Sequence, residues 1–115
     1  MKDEIVINVG ENFSRTPAGR YLVDGPYSGE RFRTEKLIPA LASGKVVKVD
    51  LSGVIGYGSS FLEEVFGGVI RLGIFSKEDL MSRLIIFASD PRKQCYVARA
   101  QKYMNDAWAG ANNGK

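Results

Sequence analysis

A glycine-rich turn leads into an apolar run in GVIGYGSSFLEEVFGGVIRLG, residues 53–73. The preceding KVVKVDL, residues 45–51, is typical of a buried strand because valine favours strands. After the turn, apolar residues recur at helical spacing and predict a helix with one wide apolar face. These residues are Phe61, Leu62, Val65, Phe66, Val69 and Ile70. The order of strand, turn and helix indicates an α/β unit.

Further strands are expected on both sides of this unit. EIVINV, residues 4–9, alternates apolar side chains with polar or small ones, and a period of two predicts a strand. A short strand is expected at residues 20–23, where Asp24-Gly25-Pro26 would end it. RLIIFA, residues 83–88, has the composition of a buried strand.

Helices are expected between and after these strands. Thr34 is a candidate cap for a helix over residues 35–42, and Ser76 for a short helix with an acidic first turn. Asp90 precedes Pro91, the usual order of an N-cap and a first helical residue. The last helix is therefore expected to begin there and to run to about Trp108.

Together these elements predict a single α/β domain over residues 1–108. Strands that alternate with helices favour a sandwich with a mixed, partly parallel sheet of about four strands. Three or four helices are too few to cover both faces, so they are expected mainly on one face. The small and polar residues 109–115 are expected to form a flexible tail.

The composition excludes several common kinds of catalytic and metal site. The chain has 115 residues, 44% hydrophobic and 25% charged, with a formal net charge of +3. The sequence contains no run of about 18 apolar residues, so no membrane span is expected. The single cysteine, Cys95, fits a reducing cytoplasm. The chain has no histidine, so it lacks the usual general base, metal ligand and activator of a nucleophilic serine. No catalytic residue, metal site or cofactor is therefore predicted.

The adjacent serines Ser59 and Ser60 lie where the central helix is expected to begin. Four roles are open for them: a helix cap, an acceptor of a phosphate group, part of a loop that binds a phosphate ligand, and a nucleophile. The cap is favoured, because Ser60 with Glu63 three residues later matches the capping-box pattern. The lysine of a P-loop is absent, and no histidine is present to activate a nucleophile.

The stretch VDLSGVIGYGSSFLEEVFGGVI resembles the central motif of STAS domains, the fold of anti-sigma factor antagonists. That motif is a hydrophobic strand, a short turn, Asp-Ser-Ser-Gly-Leu and a helix, and here Gly58-Ser59-Ser60-Phe61-Leu62 occupies its place. Together with FSRTPAGRY, SGERFR and VDLSGV, it is similar to a bacterial family of stand-alone STAS-like domains with no assigned function. The similarity covers about residues 4–75, with Gly58 in place of the acid and Phe61 in place of the glycine.

The resemblance implies a STAS-like α/β fold and a non-enzymatic regulatory module in the cytoplasm. Such a module binds a signalling protein, for example a histidine-kinase-like ATPase, through the start of the central helix. The serine that is phosphorylated in the antagonist branch corresponds to Ser60, with Ser59 as a second candidate. Tyr57, Gly58 and Glu64 are expected to contribute to the partner surface. We expect a monomer or a weak homodimer, without membrane contact.

Four arginines in the first third of the chain form a second candidate site: Arg15, Arg20, Arg31 and Arg33. If they converge, their guanidinium groups would bind an anion or an acidic partner. With the turn at residues 56–60 they would form a small nucleotide- or anion-binding module, which is the alternative function. The other interpretation is that these arginines pair with acidic neighbours, namely Asp24, Glu30 and Glu35. A nucleic-acid partner is not favoured, because no recognition motif is present.

Predictions also concern acids and glycines near the central turn. Glu63 is expected to cap the helix and Glu64 to face solvent, because adjacent helical residues point about 100° apart. Asp50, at the end of a strand, is expected to accept hydrogen bonds from backbone amides of the turn that follows. Glycines 67–68 lie inside the helix at a cost in stability, which predicts close approach of another backbone, from the sheet or a partner.

Overall fold

The computed structural model describes residues 3–113, which form a three-stranded sheet covered by helices. The strands are β1 (Glu4–Asn8), β2 (Val46–Asp50) and β3 (Leu84–Phe87). The helices are α1 (Val9–Asn12), α2 (residues 29–42), α3 (residues 59–71), α4 (Lys77–Arg83) and α5 (Gln94–Asn113). Short 3-10 turns occur at Leu22–Asp24 and Pro91–Lys93.

The sheet is entirely parallel within the described residues, with β2 between β1 and β3. In its register, Ile5 lies beside Val47 and Val47 beside Leu84. The prediction of a mixed sheet of about four strands is therefore wrong for residues 3–113. The α/β class and three of the predicted strands are confirmed.

The predicted strand at residues 20–23 is absent because a side chain closes the backbone into a turn. A carboxylate oxygen of Asp24 accepts hydrogen bonds from the main-chain amides of Arg20, at 3.1 Å, and Tyr21, at 2.8 Å. An aspartate that binds nearby backbone amides competes with sheet formation. Residues Leu22–Asp24 accordingly form a 3-10 turn.

The hydrophobic core lies on one face of the sheet, as predicted. Val47 and Val49 on β2 are fully buried, whereas Val6 and Ile85, on the other face, are 55% and 42% exposed. The helices α2, α3, α4 and α5 all contribute side chains to the same buried cluster. Representative members from these four helices, in chain order, are Leu37, Phe66, Leu80 and Met104.

Helices α2 and α3 each contain a π-helical turn between two α-helical segments. In α2 the segments are Gly29–Phe32, the π turn Arg33–Leu37, and Ile38–Ala42. In α3 they are Ser59–Leu62, the π turn Glu63–Gly67, and Gly68–Arg71. The two π turns contact each other. A π turn inside an α-helix often marks a functional region.

Two of the predicted helix starts are confirmed. The Ser76 side chain accepts a hydrogen bond from the Asp79 amide at 3.0 Å, and Asp90 accepts one from the Arg92 amide at 3.0 Å. The start of α2 differs from the prediction, because Ser28 rather than Thr34 is its N-cap. The buried Ser28 hydroxyl oxygen accepts a hydrogen bond from the Arg31 amide at 3.2 Å.

Helix α5 extends beyond Trp108, where the sequence predicted its end, to Asn113, so residues 109–113 of the predicted flexible tail are helical. Residues 114 and 115 of that predicted tail lie outside the described residues. Across residues 3–113, no helix combines the length and the apolar character needed to cross a membrane.

Candidate functional site

The serine pair occupies the exposed start of α3. Gly58, in an extended conformation, is the N-cap, and Ser59 and Ser60 are the first two helical residues. Both serines are exposed, and in the described part of the chain neither hydroxyl makes a hydrogen bond. The predicted cap by Ser60 and its capping box with Glu63 are therefore wrong, because Gly58 takes the cap position and Ser60 already has helical geometry.

The electrostatic setting of these two hydroxyls favours negative charge. Residues 59–71 form one continuous helical segment, and the partial positive charge of a helix is concentrated in its first turn. Ser59 and Ser60 lie in that turn, beside backbone amides that have no partner within the helix. A phosphate group on either hydroxyl would therefore be stabilised by its position.

Tyr57 supports the turn from inside the molecule. It is 7% exposed, and its hydroxyl donates a hydrogen bond to the main-chain oxygen of Leu51 at 2.8 Å. The centroid of its ring lies 5.0 Å from the centroid of the Tyr96 ring, in an edge-to-face arrangement. Burial, together with the negative charge of Asp50, raises the pKa of Tyr57 far above its ordinary value. The expectation that Tyr57 contributes to a partner surface is corrected, because its side chain belongs to the core.

Asp50 organises the carboxyl edge of the sheet. One of its oxygens accepts hydrogen bonds from the amides of Ser52, at 3.0 Å, and Ser89, at 3.2 Å, and the other accepts from the Ser89 hydroxyl at 2.9 Å. Burial acts to raise the pKa of Asp50, but the hydrogen bonds from Ser52 and Ser89 outweigh it and hold that pKa below its ordinary value. The predicted bond to the Ser52 amide is confirmed, and the bonds to Ser89 tie the loops after β2 and β3 together.

Five charged residues form a network on the second turn of α3. Nη1 of Arg33 lies 2.5 Å from Oε2 of Glu64, and both side chains are about nine-tenths buried. Nη1 of Arg20 lies 2.6 Å from Glu63 Oε1 and 3.1 Å from Glu64 Oε1. Arg71, two turns further along α3, completes the network at 2.5 Å from Glu63 Oε2.

This network corrects the prediction that Glu64 faces solvent. Glu64 is 7% exposed, and the single guanidinium of Arg20 bridges both carboxylates. Adjacent helical residues do diverge, but an arginine from a different segment is long enough to reach both. Glu64 therefore has buried partners and is not an exposed contact for another protein.

The arginines also set the charge state of Glu63. Burial acts to raise the pKa of Glu63, but hydrogen bonds and charges from Arg71 and Arg20 outweigh it and hold that pKa below its ordinary value. Hydrogen bonds to Glu63 in turn raise the pKa values of Arg20 and Arg71. All of these shifts favour the charged forms.

The glycine pair of α3 makes room for this network. A Cβ atom at Gly68 would lie 2.5 Å from Nη1 of Arg33, and one at Gly67 would lie 2.3 Å from Oε2 of Glu63. Close approach is confirmed as the reason for the glycines, but the nearest approaching groups are charged side chains. The predicted backbone contact is therefore wrong.

The four arginines of the first third do not converge on one point. Arg20 and Arg33 meet at Glu64, whereas Arg31 pairs with Glu35, with Nε 3.1 Å from Oε1. Arg15 lies elsewhere, in a groove beside the loop that follows β2. The structure therefore does not assemble the predicted site of four arginines, and it supports local pairing for Arg31.

Sequence reasoning did not identify Arg71 or Ser89 as members of these two clusters. Arg71 follows Glu63 by eight residues, two helical turns, and the intervening glycines leave space between them. That spacing was a usable signal for Arg71. No local pattern places Ser89 beside Asp50, because their contact joins the ends of two different strands.

The described residues offer little for metal chemistry. Between residues 3 and 113, no three side chains of histidine, cysteine, aspartate or glutamate are grouped so that they could hold a metal ion. Cys95 is exposed on α5.

Comparison with known families identifies the fold family. Residues 28–94 match the family model described as STAS-like domain of unknown function (DUF4325), which is more than half of the chain. The matched segment begins at the cap of α2 and ends at the first residue of α5, so it includes the serine pair and the Arg33–Glu64 contact. No curated protein and no solved structure matches the chain. The resemblance found in the sequence is confirmed, and the chain belongs to the family of STAS-like domains of unknown function.

Proposed function

We propose that this protein is a non-enzymatic regulatory module of the cytoplasm that binds a signalling protein through the exposed start of α3. We further propose that phosphorylation of Ser60, with Ser59 as the second candidate, switches that binding. The partner that this proposal favours is an ATP-binding kinase of the histidine-kinase-like fold or another signalling protein.

The observation that supports the proposal is that two exposed hydroxyls at the start of α3 make no hydrogen bond in the described structure. Ser59 and Ser60 are exposed, and Gly58 takes the cap position that a serine would otherwise occupy. Because both side chains are exposed and neither hydroxyl is committed to a cap, both are accessible to a modifying enzyme.

A phosphate on Ser60 would change this surface strongly. It would add about −1.5 to −2 charges at the positively polarised end of α3, where the helix itself tolerates negative charge. Glu63 lies three residues further along and holds its charge through Arg20 and Arg71. The modified surface would therefore be acidic and would repel an acidic partner or desolvate poorly against an apolar one.

Two acidic groups near the start of α3 are engaged within the fold, which supports a role in binding. Asp50 and Glu64 are each held by several hydrogen bonds within the fold. The sequence contains no histidine to activate a serine. These features support a role in recognition.

The test is phosphate transfer followed by a binding comparison. The chain is incubated with ATP and each histidine-kinase-like ATPase of its own organism, and intact mass is measured. We expect a gain of one phosphate that Ser60→Ala abolishes. Ser76→Ala is the matched control, because Ser76 also begins a helix but is committed to a cap, and this variant should still gain the phosphate.

Binding of the same ATPases is then compared for Ser60→Asp and Ser60→Ala by calorimetry. The proposal expects a clear difference in affinity between the two variants. Equal affinities together with no phosphate gain would remove Ser60 as a switch, and absence of any binding would remove the partner as well.

A further inference from the structure

A shallow basic groove of about 280 Å³ lies beside the loop that follows β2. We define the basic groove by six of its lining residues, Arg15, Val54, Ile55, Asp90, Arg92 and Lys93. We propose that the basic groove binds a phosphate monoester. This inference does not rest on the proposed function, because none of its residues belongs to the serine pair.

Three segments that are distant in sequence build the groove around Ile55. The Ile55 amide donates a hydrogen bond to the main-chain oxygen of Arg15 at 3.0 Å, which joins the loop after β1 and α1 to the loop after β2. The Ile55 oxygen accepts a hydrogen bond from Lys93 Nζ at 3.1 Å. The main chain of Arg15 and the ammonium group of Lys93 are therefore both held against Ile55.

Further contacts fix the position of Arg92, the third cation of the basic groove. The Asp90 amide donates to the Ser52 hydroxyl oxygen at 2.8 Å, which anchors the start of the 3-10 turn to the loop after β2. Asp90 in turn accepts hydrogen bonds from the Arg92 amide and from Nε and Nη2 of its guanidinium. The Arg92 side chain is thus oriented by its own carboxylate while 85% of it remains exposed.

The groove carries an excess of positive charge that the fold does not use. Arg15 has no ion-pair partner within residues 3–113, and its side chain is exposed. Nη1 of Arg92 makes no hydrogen bond in the described structure, and Lys93 uses one of its three N–H groups on Ile55. Three cations and one carboxylate leave a formal excess of two positive charges.

That excess matches the charge of a phosphate monoester, about −1.5 to −2 near neutral pH. A guanidinium binds phosphate oxygens through two parallel N–H groups, and an ammonium adds a point charge. Arg15 can supply the first kind of contact and Lys93 the second. A single carboxylate ligand would leave part of the positive charge unbalanced, so the charge favours phosphate over a carboxylate.

The test is a titration of the isotope-labelled whole chain with inorganic phosphate, followed by amide chemical shifts at constant ionic strength with chloride as the balancing ion. We expect saturable shifts confined to the groove and its anchors, largest at Ile55 and Lys93. Arg15→Gln should raise the dissociation constant about fivefold or more, since it removes a charge-assisted contact. Lys45→Gln is the matched control, because it removes one exposed positive charge at the opposite edge of the sheet and should leave the constant unchanged.

Two further ligands distinguish the source of the phosphate. Adenosine monophosphate that binds more tightly than inorganic phosphate would indicate a free nucleotide, and phosphoserine that binds more tightly would indicate a modified protein side chain. The proposal is overturned if shifts grow linearly without saturation, if they spread over basic residues generally, or if Arg15→Gln and Lys45→Gln behave alike.

Discussion

Arg33 and Glu64 form a buried ion pair between the π turns of α2 and α3. Nη1 of Arg33 lies 2.5 Å from the Glu64 carboxylate and 3.2 Å from its main-chain oxygen. The side chains are only 9% and 10% exposed, and Nε of Arg33 has no hydrogen-bond partner in the described structure. A buried ion pair adds little net stability compared with a well-packed apolar pair of the same volume, whereas removal of one partner leaves a buried charge unpaired.

Breaking this pair from one side should destabilise the protein strongly. Glu64→Gln leaves the Arg33 guanidinium buried without a countercharge, which costs about 3–5 kcal/mol in comparable cases. The free energy of unfolding from urea denaturation measures the loss. The exposed pair of Arg31 and Glu35 is the control, and Glu35→Gln should cost less than about 1 kcal/mol.

The double variant Arg33→Met with Glu64→Leu separates the charge effect from a loss of packing. Because it removes both charges and keeps similar volumes, we expect it to recover much of the stability that Glu64→Gln loses. A Glu64→Gln cost as small as that of Glu35→Gln would show that the pair is hydrated in solution and would contradict this account.

Two helical glycines, one crowded and one with open space around it, should respond in opposite directions to alanine. Gly68→Ala places a methyl group 2.5 Å from Nη1 of Arg33, so the buried pair must shift, and we expect a loss of about 1–3 kcal/mol. At Gly110, within α5, a Cβ would meet no atom within 4 Å, so alanine should gain up to about 1 kcal/mol from helix propensity. Thermal denaturation of both variants checks the signs, and a stabilising Gly68→Ala would refute the steric argument.

The strands and two caps were predictable because their signals are local. Alternating and valine-rich segments gave the three strands to within a residue or two, and Ser76 and Asp90 cap helices as their neighbours suggested. The false strand at residues 20–23 shows the limit of such patterns. There the Asp24 carboxylate accepts hydrogen bonds from two preceding backbone amides. A pattern of apolar residues contains no information about such side-chain hydrogen bonds, which compete with strand formation.

The charged network could not be derived from spacing along one helix. Glu63 and Glu64 point apart on α3, and the group that joins them, Arg20, comes from a turn more than 40 residues earlier. The exact start of α3 was also not predictable from the residue pattern at the serine pair. Ser60 fits a capping box by sequence, but the N-cap is Gly58, and this shift of two residues converts the predicted cap into a free hydroxyl.

Stability should fall in acid through Asp50. Its pKa is lower in the folded protein than the ordinary value of 3.8, so its stabilising contribution is complete above that value and is lost as the pH falls through the folded pKa. The difference in unfolding free energy between the wild type and Asp50→Asn should therefore stay constant from about pH 5 to 7 and shrink below pH 3.8. Urea denaturation at several pH values measures this difference.

Asp106→Asn is the control for Asp50, because it removes an exposed carboxylate that pairs with Lys102 on the surface of α5. Its effect on stability should stay small across the same range. If the difference in unfolding free energy between the wild type and Asp50→Asn stays constant down to the lowest pH, the hydrogen bonds of Asp50 do not depend on the charge of its carboxylate.

The serines of the chain should separate into structural and free groups when each is replaced by alanine. Ser28 is fully buried and its hydroxyl oxygen accepts the Arg31 amide at the start of α2, so Ser28→Ala should cost about 1–2 kcal/mol. Ser60 is exposed and makes no such bond, so Ser60→Ala should change stability by less than about 0.5 kcal/mol. Urea denaturation of both variants gives the comparison. A loss at Ser60 as large as at Ser28 would mean that its hydroxyl caps α3 in solution, and the hydroxyl would then be committed to the fold and poorly available to a kinase.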